Sequence, residues 1–327
     1  MPEGPPPRGA ALVVAPRPGS RRRADTGRQR WQARAPDATT GWPGGSGQTG
    51  VMAESPQTGA RRLLHEHGLR PSRALGQNFL GDPNTARRIV RLAEVGPGDH
   101  VVEVGAGLGS LTLALADAGA AVTAIEADRH LVPVLQRLVE PAGVQVVHAD
   151  ATSLRWPELL AGAPRWALVA NLPYYVAVPI VLRVLDEAPA VQRLLVMVQR
   201  EVAERLAAGP GSKAYGGVSV HVSYWAEARI VGRVPATVFV PRPNVESALV
   251  SFRRLAEPAV DPARVGPDRL FAVVRAGFAQ RRKMLRRSLA GVVAPDAFAA
   301  AGVSPEARAE QLDVEAWGRL AAWPHAT

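Results

Sequence analysis

The chain has no cysteine among its 327 residues. That absence excludes disulfide bonds, thiolate zinc sites and cysteine nucleophiles, and it suits a reducing cytoplasm, where we expect the protein to act. Long apolar runs are also missing, because the longest uncharged run, Trp166–Leu182, is interrupted by Pro173 and Pro179. We therefore expect no membrane-spanning segment and no membrane partner.

The chain does contain an ordinary globular balance of 47% apolar and 21% charged residues, which excludes a wholly disordered or fibrous protein. Its net charge of +10 is unevenly spread, since residues 1–53 hold eight arginines against three acidic residues. The rest of the chain is only mildly basic. Any affinity of the folded part for a polyanion must therefore come from local clusters of cations.

Residues 1–53 contain eight prolines and nine glycines and almost no periodic apolar pattern. Such a segment cannot bury enough surface to offset its ordering entropy, which predicts a disordered extension. Met52 directly precedes the first helix-like stretch, so a translation-start artefact is an alternative interpretation. A third interpretation is that the arginines form an RNA-binding arm.

Residues 54–258 show strands that alternate with helices, and residues 259–327 show a helical pattern only. The early strands are apolar without alternation, which is typical of a parallel sheet covered on both faces. Two later strands should close one edge of that sheet. We thus predict a Rossmann-like α/β domain followed by a small helical domain. The predicted strands are Val101–Val104, Ala121–Glu126, Val144–Asp150, Trp166–Asn171, Leu194–Gln199, Glu227–Val234 and Glu246–Arg253.

A glycine-rich turn follows the first strand of the predicted sheet, with Gly105, Gly107 and Gly109 leading into a helix. Glycines at this point allow a tight turn and a close approach of the backbone to a ligand. The spacing G-x-G-x-G is one residue shorter than the dinucleotide fingerprint, which argues against NAD without excluding it. Glu103 immediately before the turn would oppose a pyrophosphate but would suit a cationic ligand.

Acidic residues end the next two predicted strands, at Glu126 and Asp150. A carboxylate at the first position can accept hydrogen bonds from both ribose hydroxyls, and one at the second can accept from an adenine amino group. Because ligands of open α/β sheets bind at the carboxyl ends of the strands, these groups should share one crevice with the glycine turn. S-adenosylmethionine, a nucleoside with a positive sulfonium, fits that set of groups.

The tetrapeptide Asn171-Leu172-Pro173-Tyr174 follows the fourth strand, beside this crevice. An exocyclic adenine amine is a poor nucleophile, and a site can help by accepting hydrogen bonds from its two N–H groups. Asn171 offers a side-chain carbonyl and Leu172 a main-chain carbonyl, while Pro173 restricts the backbone between them and the ring of Tyr174. The Tyr174 ring offers a face on which an unstacked base can stack. The motif therefore predicts methyl transfer to an adenine.

These motifs resemble those of the ribosomal RNA adenine dimethyltransferases, specifically the small-subunit (kasugamycin-sensitivity) enzymes, over roughly residues 58–325. The resemblance implies a class I methyltransferase fold that transfers four methyl groups to two adjacent adenosines in a hairpin loop near the 3′ end of 16S ribosomal RNA. The stretches that carry it, besides those above, are Leu75–Leu80 (LGQNFL), Gly209–Gly216 (GPGSKAYG), Phe239–Ser247 (FVPRPNVES) and Phe278–Leu285 (FAQRRKML).

The resemblance also implies roles for individual residues. Asn78 and Leu80 should contact the methyl donor from an extended segment that folds over the crevice. Phe239 should lie on the side of the target base opposite Tyr174. One departure is Tyr175, which stands where asparagine is common in the family.

A run of cations near the C-terminus predicts the surface that holds the RNA. If Phe271–Leu289 is one continuous helix, its apolar residues form one stripe that is flanked by six cations with no acidic residue among them. We expect these cations to contact phosphates. They are Arg275, Arg281, Arg282, Lys283, Arg286 and Arg287.

Three other functions stay open at this point. One is a macrolide-resistance relative that acts on large-subunit RNA, although such enzymes usually carry isoleucine where Leu172 stands. The others are a ribosome-assembly factor without catalysis and an NAD-dependent dehydrogenase. We expect a monomer that acts on the immature small subunit, and we assign no metal site, because only His65 and His67 among the histidines are close together in an exposed-looking helix.

Overall fold

A computed structural model describes residues 56–72 and 74–323 of the chain. Helices and strands alternate over the first part of these residues. The prediction for residues 1–53 lies outside the described residues. The strands are β1 (Phe79–Leu80), β2 (His100–Val104), β3 (Ala121–Glu126), β4 (Gln145–His148), β5 (Trp166–Asn171), β6 (Val191–Gln199), β7 (Ala226–Val234), β8 (Phe239–Val240) and β9 (Ser247–Arg254). The helices are α1 (Pro56–Glu66), α2 (Pro83–Ala93), α3 (Ser110–Asp117), α4 (Val132–Val139), α5 (Trp156–Leu159), α6 (Ala177–Glu187), α7 (Arg200–Leu206), α8 (Gly217–Trp225), α9 (Pro267–Ala279), α10 (Leu285–Ser288), α11 (Ala297–Ala301) and α12 (Val314–Ala321).

Seven strands form one sheet in the order β4-β3-β2-β5-β6-β9-β7. The first five are parallel, and β9 runs antiparallel to both β6 and β7. Val101 and Val102 point to opposite faces, and both are fully buried because helices cover the two faces. The predicted Rossmann-like sheet and its closing pair of strands are therefore confirmed.

The two faces of the sheet have separate apolar cores. Helices α2 and α3 pack on one face through residues such as Ile89 and Leu115. Helices α5, α6 and α7 pack on the other face around Trp156 and Val184. Among the described residues, no helix combines the length and the apolar character that crossing a membrane requires.

A segment that we call the lid segment, residues 74–80, crosses the carboxyl ends of the strands. It ends in β1, which pairs antiparallel with β8 so that Leu80 lies opposite Phe239. After it, Asp82 begins helix α2, because its carboxylate accepts hydrogen bonds from the N–H groups of Asn84 and Thr85 and Pro83 occupies the first turn. This helix start matches the sequence prediction.

The C-terminal helices α9–α12 surround a core of their own that includes Phe271 and Trp317. Helix α8, which the sequence analysis did not predict, joins this core through Val220 and Tyr224. The boundary proposed between residues 258 and 259 stays a prediction. Residues on both sides of it contribute to the C-terminal core.

The condition on which the apolar stripe depended, one continuous helix over Phe271–Leu289, is not met. Helix α9 ends at Ala279 and α10 begins at Leu285, with a turn closed by a hydrogen bond from Lys283 N–H to Gln280 O. The N–H groups of residues 285 and 286 donate to the carbonyls of residues 307 and 305 instead of continuing the α9 ladder. A tertiary contact thus replaces the helical hydrogen bonds at this point.

Candidate active site

A cleft opens at the carboxyl ends of β2, β3 and β5, beneath the lid segment. It brings together nearly all residues that the sequence predicted for binding and catalysis. Those lining it are Asn78, Leu80, Gly105, Gly107, Glu126, Asp150, Asn171, Leu172, Pro173 and Tyr174.

The glycine turn between β2 and α3 holds the carboxylate of Glu126. Gly107 N–H donates to its Oε2 over 2.8 Å, and Asp128 N–H donates to its Oε1 over 2.9 Å. Burial raises the pKa of Glu126, and these two N–H groups lower it in part. Because each oxygen keeps a second lone pair, the fixed carboxylate can still accept two hydroxyl groups, as those of a ribose.

The backbone of the turn approaches the lid segment closely. Gly105 and Gly107 have φ values of 74° and 59°, in the left-handed region that favours glycine. A β-carbon at residue 107 would lie 2.9 Å from the ring of Phe79. Glycine at this position therefore keeps space in the cleft that any other residue would fill.

Glu103 is the most deeply buried carboxylate of the cleft. Its side chain is 1% exposed, and its Oε2 has no hydrogen-bond partner among the described residues. Burial, with a smaller contribution from the nearby Glu126 carboxylate, raises its pKa to about 8. A buried carboxylate without a partner favours a cationic ligand, which would supply the missing interaction.

Asp150 lies at the exposed mouth of the cleft, two residues beyond the end of β4. The N–H and hydroxyl groups of Thr152 donate to its Oδ1 over 2.8 and 2.7 Å. Its other oxygen has no hydrogen-bond partner in the described part of the chain. That oxygen is free to accept from an amino group of a ligand, as an adenine carries.

Asn171, the last residue of β5, is held by the lid segment. Its Nδ2 donates to the main-chain oxygen of Asn78 over 3.0 Å, which fixes the orientation of the amide. Its Oδ1 accepts from no described residue. Leu172 is fixed as well, because its N–H donates to Met197 O over 3.1 Å and its side chain is 1% exposed. Asn171 therefore presents an acceptor whose position is set before substrate binds.

Tyr174 completes this corner of the cleft. Its hydroxyl oxygen lies 2.9 Å from Oγ of Ser247, which fixes the half-buried ring. Burial raises the pKa of Tyr174, so the hydroxyl stays neutral at physiological pH. The ring lines the cleft beside Asn171, as stacking on a base requires.

The structure does not bring Phe239 to the cleft. Its side chain is 1% exposed and packs in the core beneath α2, with Leu80 opposite it in the β1–β8 pair. Burial of a large ring in this core outweighs its exposure at the cleft. The role of Phe239 beside the target base stays a prediction.

The sequence analysis assigned no role in the site to two residues that lie there. Gln77 donates from Nε2 to Oδ2 of Asp128 over 2.7 Å and so ties the lid segment to the residues after β3. Tyr175 is 58% exposed at the cleft, and its ring would lie 3.2 Å from a β-carbon at Gly76. No pattern pairs Gln77 with Asp128, which are 51 residues apart, whereas the position of Tyr175 next to the tetrapeptide was a usable signal.

The six predicted RNA-contacting cations differ in their surroundings. Arg281 lies 2.8 Å from Glu310, and Arg286 lies 3.2 Å from Glu306, so two of the six are in ion pairs. The other four are exposed and form no ion pair with any described residue. They are Arg275, Arg282, Lys283 and Arg287.

The sheet order, the glycine turn, the ordered acidic groups and the unsatisfied Glu103 together define a class I S-adenosylmethionine-dependent methyltransferase. The family model described as ribosomal RNA adenine dimethylase matches residues 69–325. The chain belongs to this family and is an S-adenosylmethionine-dependent ribosomal RNA adenine dimethyltransferase. The NAD alternative is thereby set aside.

Relatives and solved structures agree with this assignment. Ribosomal RNA small subunit methyltransferase A of Streptomyces coelicolor is 52% identical over 272 residues, covering 80% of this chain and 93% of the relative. The protein of the same name from Thermobifida fusca is 49% identical, with coverages of 80% and 93%.

Among solved structures, the 23S rRNA methyltransferase ErmE has a TM-score of 0.60 at 29% identity, covering 75% of this chain and 98% of that one. A dimethyladenosine transferase from Plasmodium falciparum has a TM-score of 0.62 at 21% identity, with coverages of 73% and 94%, and shows the shared fold.

Proposed function

We propose that this enzyme dimethylates the exocyclic amines of two adjacent adenosines in a hairpin loop near the 3′ end of small-subunit (16S) ribosomal RNA. The observation that carries the choice of subunit is the difference in identity between two kinds of relative. Enzymes named for the small subunit are 52% and 49% identical to this chain, whereas ErmE, named for 23S rRNA, is 29% identical.

The residues of the cleft support a division of roles. Glu126 and Asp150 would bind the ribose and the adenine of the donor, and Glu103 would offset its positive charge. Gly105 and Gly107 would let the donor lie close to the main chain of the turn, while Asn78 and Leu80 would cover the donor from the lid segment. When bound, S-adenosylmethionine supplies an electrophilic methyl carbon.

The target adenine would be held by the Asn171–Tyr174 corner. Oδ1 of Asn171 and the main-chain oxygen of Leu172 would accept the two N–H groups of the amine, which leaves its lone pair directed at the methyl carbon. Pro173 restricts the backbone between these acceptors and Tyr174, whose ring would stack on the base. After methylation the amine is acidic enough to lose its proton to water, so this part of the reaction does not require a basic side chain.

The exposed C-terminal cations support an RNA substrate of this kind. Arg275, Arg282, Lys283 and Arg287 are available for phosphates, which would orient the hairpin while its unpaired adenosines enter the cleft. We further propose that the substrate is presented by the immature small subunit, that the enzyme acts as a monomer, and that it works in the cytoplasm, where subunits assemble.

The test is methyl transfer from tritiated S-adenosylmethionine to small subunits isolated without the modification, with large subunits assayed in parallel. We expect about four methyl groups per small subunit and none on the large subunit. Digestion of the RNA and mass spectrometry should identify the product as N6,N6-dimethyladenosine. Incorporation into large-subunit RNA instead would refute the proposal and support a function like that named for ErmE.

A further inference from the structure

A glycine-rich loop, residues 209–216, lies beside the turn that separates α9 from α10. Arg281 of that turn connects the two, because its Nη2 donates to the main-chain oxygen of Lys213 over 2.8 Å. Its Nε also donates to Oε2 of Glu310 over 2.8 Å. The guanidinium thus links two other segments of the chain, which is a different use from a direct contact with RNA.

Two further hydrogen bonds fix the same loop. Gly211 N–H donates to the main-chain oxygen of Glu310 over 2.7 Å, and the hydroxyl of Tyr215 donates to Leu312 O over 2.9 Å. Tyr215 is 1% exposed, in the core of the C-terminal helices. Gly211 has a φ of 80°, which favours glycine. The loop is therefore held at both ends and at its middle, and its exposed tip has a defined position.

Lys213 occupies that tip. Its side chain is exposed, and this side chain makes no hydrogen bond or ion pair with any residue that the structure describes. Through Arg281 its backbone lies against the turn that carries Arg282 and Lys283, which are also exposed and have no acidic partner in the described chain. The nearest acidic side chain in this network, Glu310, is already paired with Arg281.

We propose that Lys213 is a phosphate-contacting residue of the RNA-binding surface, and that Arg281 is a positioning residue that holds the Lys213 loop beside Arg282 and Lys283. This inference rests on the proposed RNA substrate and deepens it. Clusters of exposed cations attract the phosphates of RNA. A lysine fixed next to two unpaired cations therefore enlarges the surface that can bind the RNA backbone. Glu310 neutralises the charge of Arg281, and Lys213 supplies an unpaired positive charge in its place.

The experiment measures binding of the full-length chain to small subunits isolated without the modification, over a series of salt concentrations. We expect the Lys213→Ala protein to bind several-fold more weakly, and the slope of log affinity against log salt to fall by about 1, as for one lost phosphate contact. Arg165→Ala is the matched control. It removes an exposed cation before β5, and it should leave the slope unchanged.

A double-mutant cycle tests the positioning role. We expect Arg281→Ala to weaken binding about as much as Lys213→Ala, and the double variant to bind no more weakly than either single variant. Calorimetric titration with S-adenosylmethionine and thermal unfolding should match the wild type for Lys213→Ala, which shows that the protein is folded.

Two results would overturn the inference. An unchanged salt slope for Lys213→Ala would show that the lysine contacts no phosphate, and additive losses in the double variant would show that Arg281 contacts the RNA independently. Failure of the proposed function looks different. In that case the wild-type protein itself would neither bind nor methylate small subunits, whereas the inference fails with wild-type activity intact.

Discussion

The donor cleft and the C-terminal cationic surface use charge in opposite ways. In the cleft, Glu126 is buried and fixed by main-chain hydrogen bonds, and Glu103 is 1% exposed with one oxygen unsatisfied. On the surface, cations are exposed, and even the ion-paired Arg281 has a side chain that is 42% exposed. A buried group acts at full strength on one ligand atom, while exposed cations act weakly, together and subject to salt.

This contrast predicts different consequences for substitutions in the two regions. In the cleft a single atom decides the rate or the donor affinity, because water cannot replace it. On the surface each cation contributes a small share, because solvent and salt already screen it. The following predictions test that difference, beginning with the largest expected effect.

Asn171→Ala should lower the rate of methyl transfer by about 10²–10³-fold, similar to removal of one fixed hydrogen-bonding group from other active sites. The substitution removes the Oδ1 acceptor whose position is set by the hydrogen bond to Asn78. The readout is kcat on small subunits, with subunit binding measured separately and expected to persist. Asn244→Ala, at an exposed asparagine outside the cleft, is the control and should retain wild-type activity. Equal rates for the two variants would contradict the assigned role.

Gly107→Ala should weaken donor binding by about tenfold or more. The new methyl group would collide with the Phe79 ring and displace the main-chain N–H that donates a hydrogen bond to Glu126. Calorimetry with S-adenosylmethionine measures the loss. Gly143→Ala separates backbone strain from crowding, since Gly143 has a φ of 71° with no atom near its β-carbon position. That control should cost about 1 kcal/mol of stability and leave donor affinity unchanged. A similar loss of affinity in both variants would argue against crowding as the cause.

Glu103 should link donor binding to proton release. With a pKa of about 8, the carboxyl is mostly protonated at pH 7, and a cationic donor favours the charged form, so binding should release close to one proton. Calorimetry in buffers of different ionisation enthalpy measures that number. Glu103→Gln should release much less, while Glu140→Gln, at an exposed position, should behave as the wild type. Proton release that persists in Glu103→Gln would place the linked group elsewhere.

The same carboxyl makes stability depend on pH. In the unliganded protein the folded state keeps a proton that the unfolded state loses, because the pKa rises from 4.5 to about 8 on folding. The free energy of unfolding should therefore decrease as pH rises through this window, by at most about 1.4 kcal/mol per pH unit from this group. Chemical denaturation of wild type and Glu103→Gln across the window measures the difference, and parallel curves would contradict it.

The smallest effects belong to the surface. Arg282→Ala should weaken subunit binding a few-fold and lower the salt slope by about 1, because it removes a cation without an acidic partner in the described chain. Arg286→Ala should have less effect, since that guanidinium already pairs with Glu306. Binding titrations at several salt concentrations compare the two. A larger loss for Arg286→Ala would show that the pair with Glu306 opens on the RNA.

Much of the fold was accessible from local pattern. The bounds of β3 and β5 agree with the prediction, because consecutive apolar residues specify strands buried on both faces. Helix α8 was not predicted, because its valines alternate as in a strand. The helical conformation is favoured by the packing of Val220 and Tyr224 in the C-terminal core. The break between α9 and α10 was missed for a related reason. The N–H groups at the start of α10 donate to carbonyls about twenty residues further along the chain, which no local pattern shows.

By itself, the sequence determined the sheet, the order of its strand-end groups and the chemistry of the cleft, because glycines, carboxylates and the Asn171–Tyr174 motif act where the strands end. Only the tertiary structure decided which groups are free to act. It fixed Asn171 through Asn78, buried Phe239 away from the cleft, and engaged Arg281 with Glu310. The physical reason is that residue type sets what a group can do, whereas its availability depends on partners far along the chain that no local pattern records.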